Sequence, residues 1–385
     1  MKALVTVYSH IDFFPPTQNA VRCLSKDCDE VTVVSRNLSK ADFDFKKNVT
    51  IKVSGKFQNI REIEKAGLAQ KIRSFFLYCS VLLSSIKKSS PEIILIYDPI
   101  PLLAFKLIRP FISHKYILWY HNHDILEIDK VRKYSVSWWA AKYERKTILK
   151  QVQIFSLPSE ERKQYYPMQI FKGQYFFLPN FPSKEFYQPF YQKKELDKKI
   201  KLIYQGSIGE GHGLEEIIEI LNAPICGKDL YLTLIGHIHD DYKTLLTSLA
   251  AHFGVTEKVE ILPAVHYQKL PKFTSKCDIG IAIHKPLYLN FQTAGTASNK
   301  IYEYAAIGLP VILYDNEHYR YYLEKFSWAY FTDCSKESLK GNIEKIISNY
   351  EMTSTKAFMD FVSTLNFEKN IDPIIRFMNV LPGSA

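Results

Sequence analysis

Three stretches carry side chains suited to chemistry. Between Ala297 and Ile312, Ser298-Asn299-Lys300 opens a helical pattern that runs through Glu303 to Gly308 and Pro310. A helix starting near Ser298 turns unsatisfied backbone N–H groups and its positive dipole end toward whatever precedes it, which suits an anion such as a diphosphate. Lys300 in the first turn adds a full positive charge, and Glu303 supplies a carboxylate able to accept two hydrogen bonds from a ribose diol. A bare surface helix would also carry such a pair, gaining only about 0.2–0.5 kcal/mol from it. The second stretch, Tyr204 to Glu216, reads as a strand, a loop with Gly206, Gly209, Gly211 and Gly213, and a helix. Glycines there let the backbone approach a phosphate or a sugar closely, although a tight strand-to-helix turn needs them too. The third, Leu118 to Asp124, places His121 and His123 beside Asp124 at a strand's end. One histidine is usually a packing residue; two beside an aspartate point to a site. His121, Asn122, His123 and Asp124 can also be read as metal ligands, but no convincing Asp-x-Asp nucleotide–metal motif accompanies them.

The elements that must position these residues alternate. In the first half, β-rich runs at Ala3–Ser9, Glu30–Ser35, Val49–Val53, Ile93–Tyr97, Tyr116–Tyr120 and Ile154–Leu157 are separated by helical patterns, notably residues 69–88 and 138–152. In the second half the strands fall at Lys201–Tyr204, Leu230–Ile235, Val259–Leu262, Ile279–Ile283 and Val311–Tyr314, again with helices between. Strands alternating with helices imply parallel sheets. The expected fold class is α/β, two doubly wound Rossmann-like domains facing across a cleft, the first over residues 1–190 and the second over 191–366, with 367–385 completing the first. The polar run Gln192 to Lys199 reads as the connection between them.

With 385 residues and 46% hydrophobic composition, each half can bury its own core. Six scattered cysteines form neither a CxxC pair nor a zinc-ligand cluster, so a reducing cytosol is expected. The N-terminus runs straight into a strand, no signal segment is apparent, and Phe75–Ile86 is too short to span a bilayer. The net charge of +10 is uneven: through residue 190 there are 29 Lys and Arg against 17 Asp and Glu, and beyond it 21 against 23. A basic first half suggests nucleic acid, a phospholipid surface or a phosphate-bearing ligand as partner, though solubility alone explains such a surplus equally well.

The stretch Ala297 to Ile312 resembles the donor-site helix of glycosyltransferase family 4, retaining enzymes of the GT-B fold. Tyr204–Glu216 is similar to that family's donor-domain loop, and Leu234-Ile235-Gly236 and Cys277 to Ala282 agree with it in order. The resemblance implies a retaining glycosyltransferase that takes a hexose-type sugar from a nucleotide diphosphate donor. It implies a donor site of Gly206, Ser207, His212, Gly213, Gly295, Thr296, Ser298, Asn299, Lys300 and Glu303. It gives catalytic roles to His123, near the transferred sugar, Asp124, which orients it, and Lys300, with His212 helping at the diphosphate. Near the chain start, the glycine-free segment Ser9 to Asn19 argues against a dinucleotide dehydrogenase. Its His10, Asp12 and Asn19 are expected to shape an acceptor pocket.

Two departures stand out. Ser207 and His212 occupy positions where the family commonly has an arginine and a lysine, and Gly295 stands where it usually has a second glutamate that contacts the donor sugar. The turn 292–296 would then hold the sugar through amides and Thr hydroxyls. No cofactor or metal is expected, nor nucleic acid as partner. The remaining expectations are a glycan or lipid-linked acceptor, a role in bacterial surface polysaccharide or glycoconjugate synthesis, and a cytoplasmic location with contact to anionic membrane. A non-catalytic nucleotide-sugar-binding protein, or a GT-B epimerase or phosphorylase, would share much of this pattern.

Overall fold

A computed structural model describes residues 1–11, 14–36, 43, 45–55, 66–147 and 150–381. The chain divides into two units, Met1–Asn180 with Phe367–Ala385 and Phe181–Asn366. The first holds β1 (Lys2–Val7), α1 (Pro15–Asp27), β2 (Glu30–Arg36), β3 (Val49–Ser54), α2 (Leu68–Ser89), β4 (Ile93–Tyr97), α3 (Pro99–Ile108), β5 (Ile117–His121), α4 (Val136–Thr147), β6 (Ile154–Leu157) and β7 (Gln174–Phe177). Its seven parallel strands lie in the order β3-β2-β1-β4-β5-β6-β7. Central strands β4 and β5 are buried at every residue, as parallel strands covered on both faces must be. Register aligns Val7 with Tyr97 and Tyr97 with His121, so the loops after β1, β4 and β5 leave from one level.

The second unit contains β8 (Lys199–Gln205), α5 (Leu214–Ile220), β9 (Asp229–Ile235), α6 (Asp240–His252), β10 (Val259–Leu262), α7 (Leu270–Thr274), β11 (Ile279–Ala282), α8 (Asn299–Ala306), β12 (Val311–Tyr314), α9 (Glu317–Leu323), β13 (Ala329–Thr332), α10 (Lys336–Ser348) and α11 (Tyr350–Ser363). Its six strands are parallel in the order β10-β9-β8-β11-β12-β13. The last helix, α12 (Phe367–Val380), returns to the first unit, where Phe367, Ile371, Ile374 and Met378 share a core with Val5, Val21 and Leu24.

The structure moves two boundaries read from the sequence. The chain changes unit at Asn180–Phe181 rather than at residue 190, because Phe181 and Tyr187 are buried in the second core, the Phe181 ring 4.3 Å from that of Tyr302. A polar composition marks exposure, and residues 192–199 are merely the exposed approach to β8. Part of the segment Ser9 to Asn19 is helical: Pro15 and Pro16 open α1, where a missing N–H costs nothing, and Ala20, Val21 and Leu24 are buried by it. Among the described residues, no helix is long and apolar enough to cross a membrane.

Candidate active site

In the second unit the candidate residues gather at the carboxyl edge of the sheet. β8 ends at Gln205 and the chain turns at Gly206, with φ at +121°. A Cβ at Gly236, after β9, would lie 1.6 Å from the Gly206 carbonyl oxygen, so these two loops meet backbone to backbone. Gly213, at φ +68°, precedes α5, and a Cβ there would press on Ile283 at 2.9 Å. The glycine loop is therefore seated on the ends of β9 and β11, tightly at Gly213 and openly at Gly209, where a Cβ would meet nothing.

Lys300 reaches over this loop from the first turn of α8. Its ammonium lies 3.9 Å from the centroid of the Tyr204 ring and donates to the Tyr204 hydroxyl at 2.7 Å. That hydroxyl in turn donates to the carbonyl of exposed Ser207 at 2.6 Å. Lys300 also lies beside Gly206, whose added Cβ would be 3.6 Å from Lys300 Nζ. Burial pushes the lysine down to about 7, against the upward pull of Glu303. Ser298 caps α8 without a side-chain hydrogen bond to the helix, and Ser298 and Asn299 are half-buried at its opening.

Glu303 is buried and carries its own polar network. Gln205 Nε2 donates to it at 2.6 Å, and the hydroxyls of Tyr267 and Tyr187 also reach it. Thr274 Oγ1 holds the other end of the Gln205 amide at 2.7 Å. Burial raises the Glu303 carboxyl to about 7, with these donors opposing the rise.

His212 is buried, and its Nδ1 lies 3.0 Å from the Ile283 carbonyl. Burial, then the Lys300 charge, lower its pKa to about 3. A neutral ring whose Nδ1–H meets a carbonyl leaves Nε2 as an acceptor only. His212 is thus neither a cation nor an outward donor. At the missing-glutamate position, Gly295 N donates to His318 Nε2 at 3.1 Å, and its carbonyl accepts from the Tyr302 hydroxyl at 2.6 Å. A Cβ at Gly295 would sit 2.9 Å from that imidazole nitrogen, so His318 occupies the space a side chain would need. Thr296 is buried beside this turn.

In the first unit the His-acidic turn follows β5. His123 N–H donates to Asp98 Oδ1 at 2.7 Å, and its ring stacks on Tyr97 at 4.6 Å and on Phe14 at 5.4 Å. Its Nε2 lies 3.3 Å from Thr17 Oγ1, and the buried Arg162 donates to its carbonyl. Burial, then the neighbours His121 and Arg162, push its pKa well down, so the ring is neutral. Asp98 holds a left-handed φ of +70°, and burial, then Asp124, raise its carboxyl well up. Behind the turn, buried Glu144 accepts from Tyr120, Asn122 and Tyr166, and burial raises it to about 7.

The structure brings His123, Asp124 and the unforeseen Asp98 together at the ends of β4 and β5. Of the acceptor candidates, His10 and Asn19 are buried, Asn19 on α1, and Asp12 lies outside the described residues. Gln205, Thr274, Tyr187, Tyr267 and His318 escaped the sequence reading. Gln205 left one signal, a polar residue closing an apolar strand; the tyrosines, distant in sequence, left none. Among the described residues no three His, Cys, Asp or Glu side chains gather as metal ligands.

Two parallel Rossmann-like units, the second with a helix-terminal lysine poised over a glycine loop, define the GT-B architecture of glycosyltransferases. Residues 188–355, which lie within the second unit, match the model of the family Glycosyl transferases group 1. Sucrose-phosphate synthase from Thermosynechococcus elongatus superposes with a TM-score of 0.68 at 10% identity, over 98% of each chain. Anabaena HepE, in a complex with UDP and glucose, gives 0.65 at 14% identity over 99% of this chain and all of that one. WaaG, described as a glycosyltransferase of lipopolysaccharide biosynthesis, gives 0.63 at 12% over 99% and 100%. At such identities the likeness is one of fold. No curated protein matches by sequence.

Proposed function

We propose that the protein transfers a hexose-type sugar, with retention of anomeric configuration, from a nucleoside diphosphate donor held on the second unit to an acceptor held on the first. The observation that carries this is Lys300, fixed on the Tyr204 ring at the opening of α8 and beside Gly206. A diphosphate there receives the α8 amides and, by its own charge, draws the lysine back to its protonated form. Stabilising the negative charge that grows on the departing diphosphate is the large term such a reaction requires. Glu303 accepts one ribose hydroxyl, and the Gly295–Thr296 turn faces the sugar. His123 and Asp124, steadied by Asp98, serve the transferred sugar and the acceptor.

The reaction needs no metal, since Lys300 and backbone amides supply the positive charge at the diphosphate. The role we assign is glycan or lipid-linked glycoconjugate assembly at the cytoplasmic face of a membrane. Support comes from the basic first half and from α2, which leaves Leu68, Ile72, Phe76 and Leu77 exposed among Lys71, Arg73, Lys87 and Lys88. The test is incubation with a panel of nucleotide sugars, with and without EDTA, scored for release of nucleoside diphosphate. Turnover of at least one donor, undiminished by EDTA, is expected. Tight nucleotide binding without turnover of any donor would make the protein a binding module, and sugar release dependent on inorganic phosphate would make it a phosphorylase.

A further inference from the structure

In the first unit's sheet, β1 leads one way to β2 and β4 leads the other way to β5. Chain connections therefore diverge between β1 and β4, and such a switch point opens a crevice beyond the carboxyl ends of the strands. The structure has two cavities there, of about 160 Å3 and about 540 Å3, which share Tyr8 and Ile100 in their walls. The smaller is bounded by Asp98 and Asp124. The larger is bounded by Arg36, Lys71 and Arg132, and its described lining contains no carboxylate.

Arg36 is the last residue of β2, and its backbone N–H donates to the Ser9 carbonyl at 3.1 Å. Its guanidinium lies 4.4 Å from the centre of the Tyr8 ring, which is wedged edge-on against Tyr78 at 4.9 Å. A planar cation stacked on an aromatic face is oriented before any ligand arrives, so less rotamer freedom is lost on binding. Arg132, from the loop between β5 and α4, faces the same space. Ser74, Ser135 and Ser137 add hydroxyl groups to the wall.

We propose that this cavity is an anion subsite for the acceptor, in which Arg36 and Arg132 grip a phosphoryl or carboxylate group while the rest of the acceptor extends past Tyr8 toward Asp98 and Asp124. The inference rests on the transferase function for its meaning, but the binding it requires does not. A fork-like guanidinium pair favours a doubly charged or planar anion over a neutral sugar by charge-assisted bonds, and the half-buried setting of Arg36 reduces screening by water.

The test is calorimetric titration of the protein, its nucleotide site first saturated with UDP, with glucose 1-phosphate, glucuronate and glucose. Either charged sugar should bind about tenfold or more tightly than glucose; a lead by glucose 1-phosphate assigns a phosphoryl acceptor, and a lead by glucuronate a carboxylate one. Arg36→Gln and, independently, the exposed Arg132→Gln should each erase most of that preference while UDP affinity and melting temperature stay unchanged. Equal binding of all three sugars, no binding of any, or a preference that survives both substitutions would overturn the subsite. Failure of UDP to bind would instead strike the donor assignment, and the sugar titrations would then be run without it.

Discussion

The two units use the same sheet architecture to present different groups at their strand ends. The second unit places Lys300 over a turn at Gly206 that Gly236 meets backbone to backbone, and the lysine rests on an aromatic ring. In the first, carboxyl groups, Asp98 and Glu144, sit behind a neutral histidine, and the cations line a wider cavity. A site for one fixed ligand group is built from backbone and glycine, whereas a site for a variable partner is built from side chains that sequence change can exchange. Under the proposed function, the donor side rests on backbone geometry and the acceptor side on exchangeable side chains.

The largest effect that would break this comparison is on Lys300. Lys300→Met should lower kcat/KM by about 100- to 1,000-fold, in the range seen on removing one preorganised charge donor, measured with the donor that turns over in the panel. Retained activity would shift the burden to the first unit. Next in size is a stability effect confined to that unit. Glu144 has its folded pKa raised from 4.5 to about 7, so the folded state binds more protons between those values and stability falls as pH rises from 4.5 to 7. Glu144→Gln should flatten that fall, on the order of 3 kcal/mol, in unfolding followed by tryptophan fluorescence, to which the first unit contributes Trp119, Trp138 and Trp139. UDP affinity should not move.

Glu303→Ala, in contrast, should weaken nucleoside diphosphate binding by about 1–3 kcal/mol, the worth of a hydrogen bond to a charged group; unchanged affinity by calorimetry would remove the ribose role. A smaller signature belongs to Lys300 alone. With its pKa at about 7 in the empty site, the lysine is mostly neutral at pH 8 and must take up a proton when an anion binds. Binding enthalpies of UDP at pH 8 should therefore vary with the ionisation enthalpy of the buffer, and should do so less in Lys300→Met. The weakest expected effect is flotation with liposomes, rising with phosphatidylglycerol content; flotation indifferent to that lipid would end the membrane assignment.

Legibility from sequence followed the same division. The α8 helix and the glycine loop are contiguous stretches whose chemistry depends on backbone direction, so Lys300, Glu303 and Gly213 could be singled out by number. Strand periodicity likewise gave most of both sheets, although α1 was hidden behind its paired prolines and β7, Gln174–Phe177, behind a weak four-residue pattern. What could not be read is whatever depends on residues meeting across a fold. Asp98 belongs to the His123 turn only because β4 and β5 are in register, and Tyr187, Tyr267 and Gln205 converge on Glu303 from three separate segments. The neutrality of His212 also needed the structure, since it arises from burial and then from the neighbouring Lys300, against the pull of the Ile283 carbonyl.

The return of α12 to the first unit sets an order of events at the ribosome. Val5, Val21 and Leu24 must wait for Phe367, Ile371 and Met378 before their shared core is sealed. A chain emerging amino end first therefore presents an unsealed first unit while the whole second unit, Phe181–Asn366, is synthesised and able to fold. Loss of a few terminal turns would injure the unit made earliest and spare the one made last.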